Sequence, residues 1–152
     1  MKTIAHIFIA ATLLVFSSAA FTQAGTPSDK GASSRNTTVT IEPVLDSGNI
    51  SYAPAWRIAL SKQAESDGQI IFRMIRKDNA TNATKISIAV AKGTIKADLV
   101  KIIEDALQSN VPTGVKVERN PNDEISISDA TGISITLESN TIADLGIALL
   151  QE

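Results

Sequence analysis

The sequence predicts an α+β domain, a small antiparallel-rich sheet packed on one main amphipathic helix over about residues 95–108. Three observations predict it. Leu99, Ile102, Ile103, Ala106 and Leu107 recur at the 3.6-residue spacing of a helix with one buried face. On either side, short β-branched runs are separated by clusters of Gly, Asn, Asp and Pro, the pattern of strands and turns. The chain is 43% hydrophobic but only 4% aromatic and has no cysteine, so its core must be filled by Ile, Val and Leu without disulfide bonds.

Taken in order, Val39 and Ile41 alternate with threonines and suggest a short strand, followed by the turn cluster Asp46-Ser47-Gly48-Asn49. Residues 53–66 read two ways. Trp56, Ala59, Leu60 and Ala64 form a helical stripe with Gly68 as its stop, whereas Trp56, Ile58 and Leu60 form one face of a strand. Gln69–Arg76 and Lys85–Ala91 are strand-like, and the polar segment Lys77–Thr84 between them makes the pair a hairpin. Gly93 ends the second strand, and the Thr94 hydroxyl is placed to cap the helix, which Asn110 and Pro112 end.

Three short strands follow. Val115 and Val117 precede the turn Asn120-Pro121-Asn122-Asp123. Ile125 and Ile127 precede Asp129-Ala130-Thr131-Gly132, and Ile133, Ile135 and Leu137 complete the series. In the tail, Ile142, Leu145 and Leu149 return to roughly helical spacing.

The N-terminus adds an export signal to this domain. Lys2, the apolar run Ile4–Phe21 and the small-x-small triplet Thr22-Gln23-Ala24 have the three regions of a cleaved secretory signal peptide, residues 1–24. Residues 25–38 are rich in Gly, Ser and Thr without apolar periodicity, a flexible, disordered leader. The folded domain then occupies 39–152. No cysteine follows the apolar run, which excludes a lipid-anchored lipoprotein, and no later stretch approaches membrane-spanning length. The protein is expected to be secreted or periplasmic, with no membrane insertion after cleavage.

Composition limits the chemistry. The one histidine, His6, lies in the signal segment, so the mature 128 residues hold neither His nor Cys. That excludes Ser-His-Asp and Cys-His catalysis and zinc sites built from imidazole or thiolate. With 13 basic and 16 acidic side chains after residue 24, the protein lacks the basic face that a nucleic-acid binder needs. Glycines are scattered, with no phosphate loop, and no S-x-x-K is present.

The remaining candidates have plain structural readings. Asn120, Asn122 and Glu124 alternate like calcium ligands, but Ile125 and Thr131 stand where such a loop needs Gly and Glu, so a hairpin turn is favoured. Glu104 and Asp105 diverge by about 100° as helix neighbours. Asp98, Lys101 and Asp105 fit a solvated ion-paired face. Arg73, Arg76, Lys77 and Lys85 form a modest basic patch at the hairpin, without interleaved aromatics. Trp56 reads as a core anchor, and the sequons at Asn36, Asn49, Asn79 and Asn82 carry no functional weight. No catalytic, cofactor-binding or metal-binding residue is assigned. A carboxylate-only glycosidase remains formally open and requires a pocket with paired acids.

The stretch 85–138 resembles the flagellin hook IN motif of flagellins, hook-associated proteins and filament caps. The shared features are Gly93-Thr94 with Leu99 at a helix start, the amphipathic helix through Leu107, Gly114-Val115-Lys116-Val117, and Gly132-Ile133-Ser134-Ile135. Asp144-Leu145-Gly146 looks like the leucine-glycine that closes such modules. The resemblance implies a free-standing exported module with a structural role at a flagellum or surface filament, engaging a protein partner or itself, and no enzyme activity. A second resemblance, to the short N-terminal domain of secretins and TonB-dependent transducers, implies a helix over Ala55–Ser66 and a periplasmic protein-binding role. Mass spectrometry of the exported protein should find Gly25 at its N-terminus; an intact Met1 would contradict the signal-peptide reading.

Overall fold

The computed structural model describes residues 37–45 and 49–152, all within one compact unit. The expected signal peptide, most of the leader and most of the turn at 46–49 lie outside the described residues. Eight elements run in the order β1 (Thr37–Pro43), β2 (Ala53–Leu60), β3 (Gly68–Arg76), β4 (Asn82–Val90), α1 (Lys96–Asn110), β5 (Lys116–Arg119), β6 (Ile125–Asn140) and β7 (Ile147–Gln151). The class is α+β, as the sequence indicates. The sheet is larger than the small one expected, with seven strands in the order β1-β4-β3-β6-β2-β7 and β5 added on β6. Every pairing is antiparallel.

The expected β3–β4 hairpin forms, closed by a 3-10 turn at Lys77–Asn79. The first strand starts at Thr37, two residues inside the segment assigned to the leader, because Thr37 and Thr38 pair with Ile88 and Ser87. Residues 53–60 form a strand, which removes the helix that the secretin-like resemblance requires. Period two wins there because Trp56, Ile58 and Leu60 all reach the core, while Ala55, Arg57 and Ala59 are only half-buried. The Trp56 indole N–H donates to the Ile133 carbonyl at 2.7 Å, so Trp56 is the core anchor expected.

Ile125–Asn140 is one strand of sixteen residues, not two strands joined by a hairpin turn. Its first part pairs with β5 on one edge and β2 on the other; its second part pairs with β3. Where β2 advances from Ala53 to Ala55, the partner jumps from Ile133 to Ser128. Residues 129–132 stand against Pro54 alone, a surplus of three that makes a bulge and bends the strand. Turn-forming residues are present there, but they kink β6 and do not reverse it.

One face of this sheet is covered by α1. Leu99, Val100, Ile103, Ala106 and Leu107 pack on Phe72 and Met74 of β3, Ile86 and Ile88 of β4, and Ile125, Ile127 and Ile133 of β6, in one continuous core. The helix begins one residue later than expected and ends two later. Thr94 does not cap it; its hydroxyl donates to the Ala91 carbonyl at 2.7 Å, holding the β4–α1 turn, and Ile95 occupies the cap position.

The tail is not helical. Ile142 and Leu145 are buried in a tight turn, held where the Asn140 side chain accepts from Ile142 N–H at 3.0 Å and donates to the Leu145 carbonyl at 2.7 Å. β7 then pairs with β2 at the sheet edge. Gly68 opens β3 beneath this turn. A Cβ there would stand 2.7 Å from Ile142 Cγ1 and 2.9 Å from its backbone nitrogen. Gly68→Ala must displace the turn, at about 1–3 kcal/mol in urea unfolding; an unchanged midpoint would contradict this packing.

Candidate functional site

Two features stand out from the framework: a buried ion pair at the β6 bend and an open edge at β1 with a cleft beside it.

Asp129 is only 3% exposed, at the bulge that bends β6. Its Oδ2 accepts from Arg76 Nε at 2.6 Å, and its Oδ1 accepts from the Thr131 N–H and hydroxyl, both at 2.8 Å. Burial pushes the carboxyl pKa up. The hydrogen bonds from Arg76 and Thr131, with the charge of Arg76, outweigh burial and hold it below the usual aspartate value. Arg76 also meets Asp78 at 2.9 Å, and its hydrogen bond to Asp129 is the main reason that its own pKa is raised. With these partners engaged, the arrangement serves to lock the bend.

The other predicted charges fall into similar pairs. On the sheet face opposite the helix, Glu138 bridges Lys85 at 2.9 Å and Arg73 at 3.6 Å, and Lys85 reaches Glu42 at 3.8 Å. The structure thus brings Arg73 and Lys85 together on that face but sets Arg76 on the helix face, and each is neutralised by an acid distant in sequence. Lys101 bonds Asp105 at 3.0 Å, one pair of the solvated face expected; Asp98 joins no ion pair among the described residues, and Glu104 accepts from the Gln108 amide at 3.1 Å.

The Asn120–Glu124 oxygens are likewise occupied. Asn120 Oδ1 accepts from the N–H groups of Asn122 and Glu124, and Glu124 Oε2 binds Asn120 at 2.9 Å and Arg57 at 3.4 Å. The bond from Asn120 is the chief cause that lowers the Glu124 pKa. The segment is a hairpin turn, with Asn120 N–H bonded to the Glu124 carbonyl at 2.9 Å. Among the described residues, no three acidic side chains gather as metal ligands, and no helix is long and apolar enough to cross a membrane.

The β1 edge is built differently. Its register places Thr37, Val39 and Ile41 opposite Ile88, Ile86 and Thr84, on the face that carries α1. The helix does not reach them: Val39 is 38% and Ile41 72% exposed. Beneath them lies a cleft of about 300 Å³, lined also by Met74 and Arg76 of β3, Asn82 and Thr84 of β4, and Asn110 and Pro112 at the end of α1.

The backbone of β1 follows from one bond. Val44 N–H donates to the Thr81 carbonyl at 2.8 Å, continuing the β1–β4 ladder. Antiparallel strands direct successive residues' N–H and C=O to alternate sides. Thr38, Thr40 and Glu42 therefore bond β4, while Thr37, Val39, Ile41 and Pro43 turn their backbone outward. Pro43, without an N–H, stands where no β4 ladder bond is lost. Among the described residues nothing pairs with this outer edge.

Sequence reasoning missed both features. Asp129 looked like a turn residue because its partner Arg76 lies 53 positions away. Val39 and Ile41 read only as alternating residues of a short strand; the helix's position shows that they are left out of the core.

The lowered Asp129 and Glu124 pKa values fix the sign of a pH effect. A carboxylate with a depressed folded pKa contributes stability above its unfolded value, near pH 4, and loses it as pH falls through the folded value. Urea midpoints should therefore drop on acidification below about pH 4. Asp129→Asn should be less stable at pH 7 by about 1–3 kcal/mol, the scale for weakening a charged hydrogen bond while Arg76 keeps Asp78, and its acid dependence should be flatter. An unchanged acid profile would contradict the role of this pair.

Compared with known proteins, the chain matches no family model and no curated sequence.

Proposed function

We propose that the chain is an exported, non-enzymatic module that acts by protein contact, with the β1 edge as its contact surface. The observation that carries this reading is the outward-facing backbone of Thr37–Pro43 beside the exposed side chains of Val39 and Ile41. An edge strand with free N–H and C=O groups is a template for another strand, and apolar side chains beside it add affinity. Elsewhere the acids and bases that could do chemistry hold the fold together, as Asp129, Glu138 and Glu124 do.

The flagellin hook IN resemblance agrees with a structural role. The elements β4, α1, β5 and β6 follow its strand–helix–strand order. The glycines of its three motifs, Gly93, Gly114 and Gly132, stand at φ of 83°, 97° and 97°. Side chains rarely adopt that backbone, so a physical reason exists for glycine at each motif position. Where the resemblance implies a hairpin ending at Gly132-Ile133-Ser134-Ile135, the chain departs from it and runs as the single bent strand β6.

Photo-crosslinking in the producing cell tests the reading. A photoreactive residue at Ile41 should give discrete protein adducts, and the same residue at Ser109, exposed on the helix, should give none. Absence of adducts from Ile41 would contradict contact through β1.

A further inference from the structure

We propose that the partner of the β1 edge is a second copy of this chain, bound β1 to β1 in antiparallel register about a two-fold axis through Thr40. The inference rests on the protein-contact reading above and names its occupant.

The strand is complementary to itself. A two-fold axis at Thr40 sets Val39 of one copy opposite Ile41 of the other. Both residues turn their N–H and C=O outward, so each such pair exchanges two hydrogen bonds. At the ends, Thr37 N–H of one copy meets the Pro43 carbonyl of the other, and the missing Pro43 N–H forfeits one bond at each end. Side chains agree with this register. Val39 and Ile41 of each copy lie on the α1 face, so the pairing gathers four apolar side chains into one patch and covers Ile41, now 72% exposed.

Charge agrees as well. Glu42 is the one charged residue of β1. It lies on the opposite face, 3.8 Å from Lys85, and in this register meets Thr38 of the partner copy, so no like charges oppose. Of the usual guards of an edge, β1 carries only Pro43, at its end; it has no lysine, no inward-pointing charge and no bulge. A seven-residue strand pair buries less than a standard protein interface, so association in the micromolar range is expected.

The chain has no cysteine, which makes a direct test simple. In the paired register the two Thr40 residues form a non-hydrogen-bonded pair with Cα atoms about 4.5 Å apart, within disulfide reach. The full chain carrying Thr40→Cys should oxidise to a covalent dimer, whereas Ser109→Cys should form no covalent dimer. Sedimentation of the unmodified full chain from about 1 to about 500 µM should show a reversible dimer. Ile41→Lys should weaken it at least tenfold, and Leu150→Lys on the opposite edge strand should leave it unchanged, both with wild-type circular dichroism. A monomer throughout, no excess of Thr40→Cys dimer over Ser109→Cys, or a dimer abolished by Leu150→Lys alone would each overturn the proposal. If the chain stays monomeric while Ile41 crosslinks to a different protein, the second-copy inference fails and the protein-contact reading stands; if Ile41 yields no adduct, both fail.

Discussion

The architecture depends on the bend in β6. A sixteen-residue strand this long would otherwise carry its partners along one line. The bulge at residues 129–132 lets the same strand pair with β5 and β2 before the bend and with β3 after it. The price is a buried carboxylate. Arg76 and Thr131 satisfy both oxygens of Asp129, so the charge stabilises one bend angle instead of unravelling the strand. Because β3 pairs beyond the bend, and β4 and β1 follow from β3, the position of the β1 edge traces back to this pair.

Packing explains why that edge is left open. One helix of fifteen residues covers the centre of a seven-stranded sheet. Its apolar stripe reaches β3, β4 and β6, and its C-terminal end stops at the cleft beside β1. Val39 and Ile41 continue the apolar face past the helix, where nothing among the described residues covers them. Continuing the sheet with another strand removes apolar area from water and pairs the free backbone at once.

Much of the fold was legible where local pattern and tertiary outcome coincide. The helix, the β3–β4 hairpin and the Asn120–Asp123 turn follow from periodicity and turn chemistry alone. Two segments misled, for different reasons. Asp129-Ala130-Thr131-Gly132 has the residues of a turn, but Asx bonding and a positive-φ glycine serve a bulge equally well; pairing with β2 and β3 decides which forms. Ile142 and Leu145 sit at helical spacing because a tight turn, like a helix, brings residues three apart to one side, whereas Leu149 lies beyond it in β7. The β1 edge was not legible at all, since exposure depends on where a helix fifty residues away comes to rest.

Backbone hydrogen exchange followed against protein concentration tests the central claim most directly. Thr38 and Thr40, bonded to β4, should be protected at every concentration. Val39 and Ile41, whose N–H groups face outward, should exchange freely in dilute protein and become protected as concentration rises through the micromolar range. Concentration-independent exchange at Val39 and Ile41 would contradict the account.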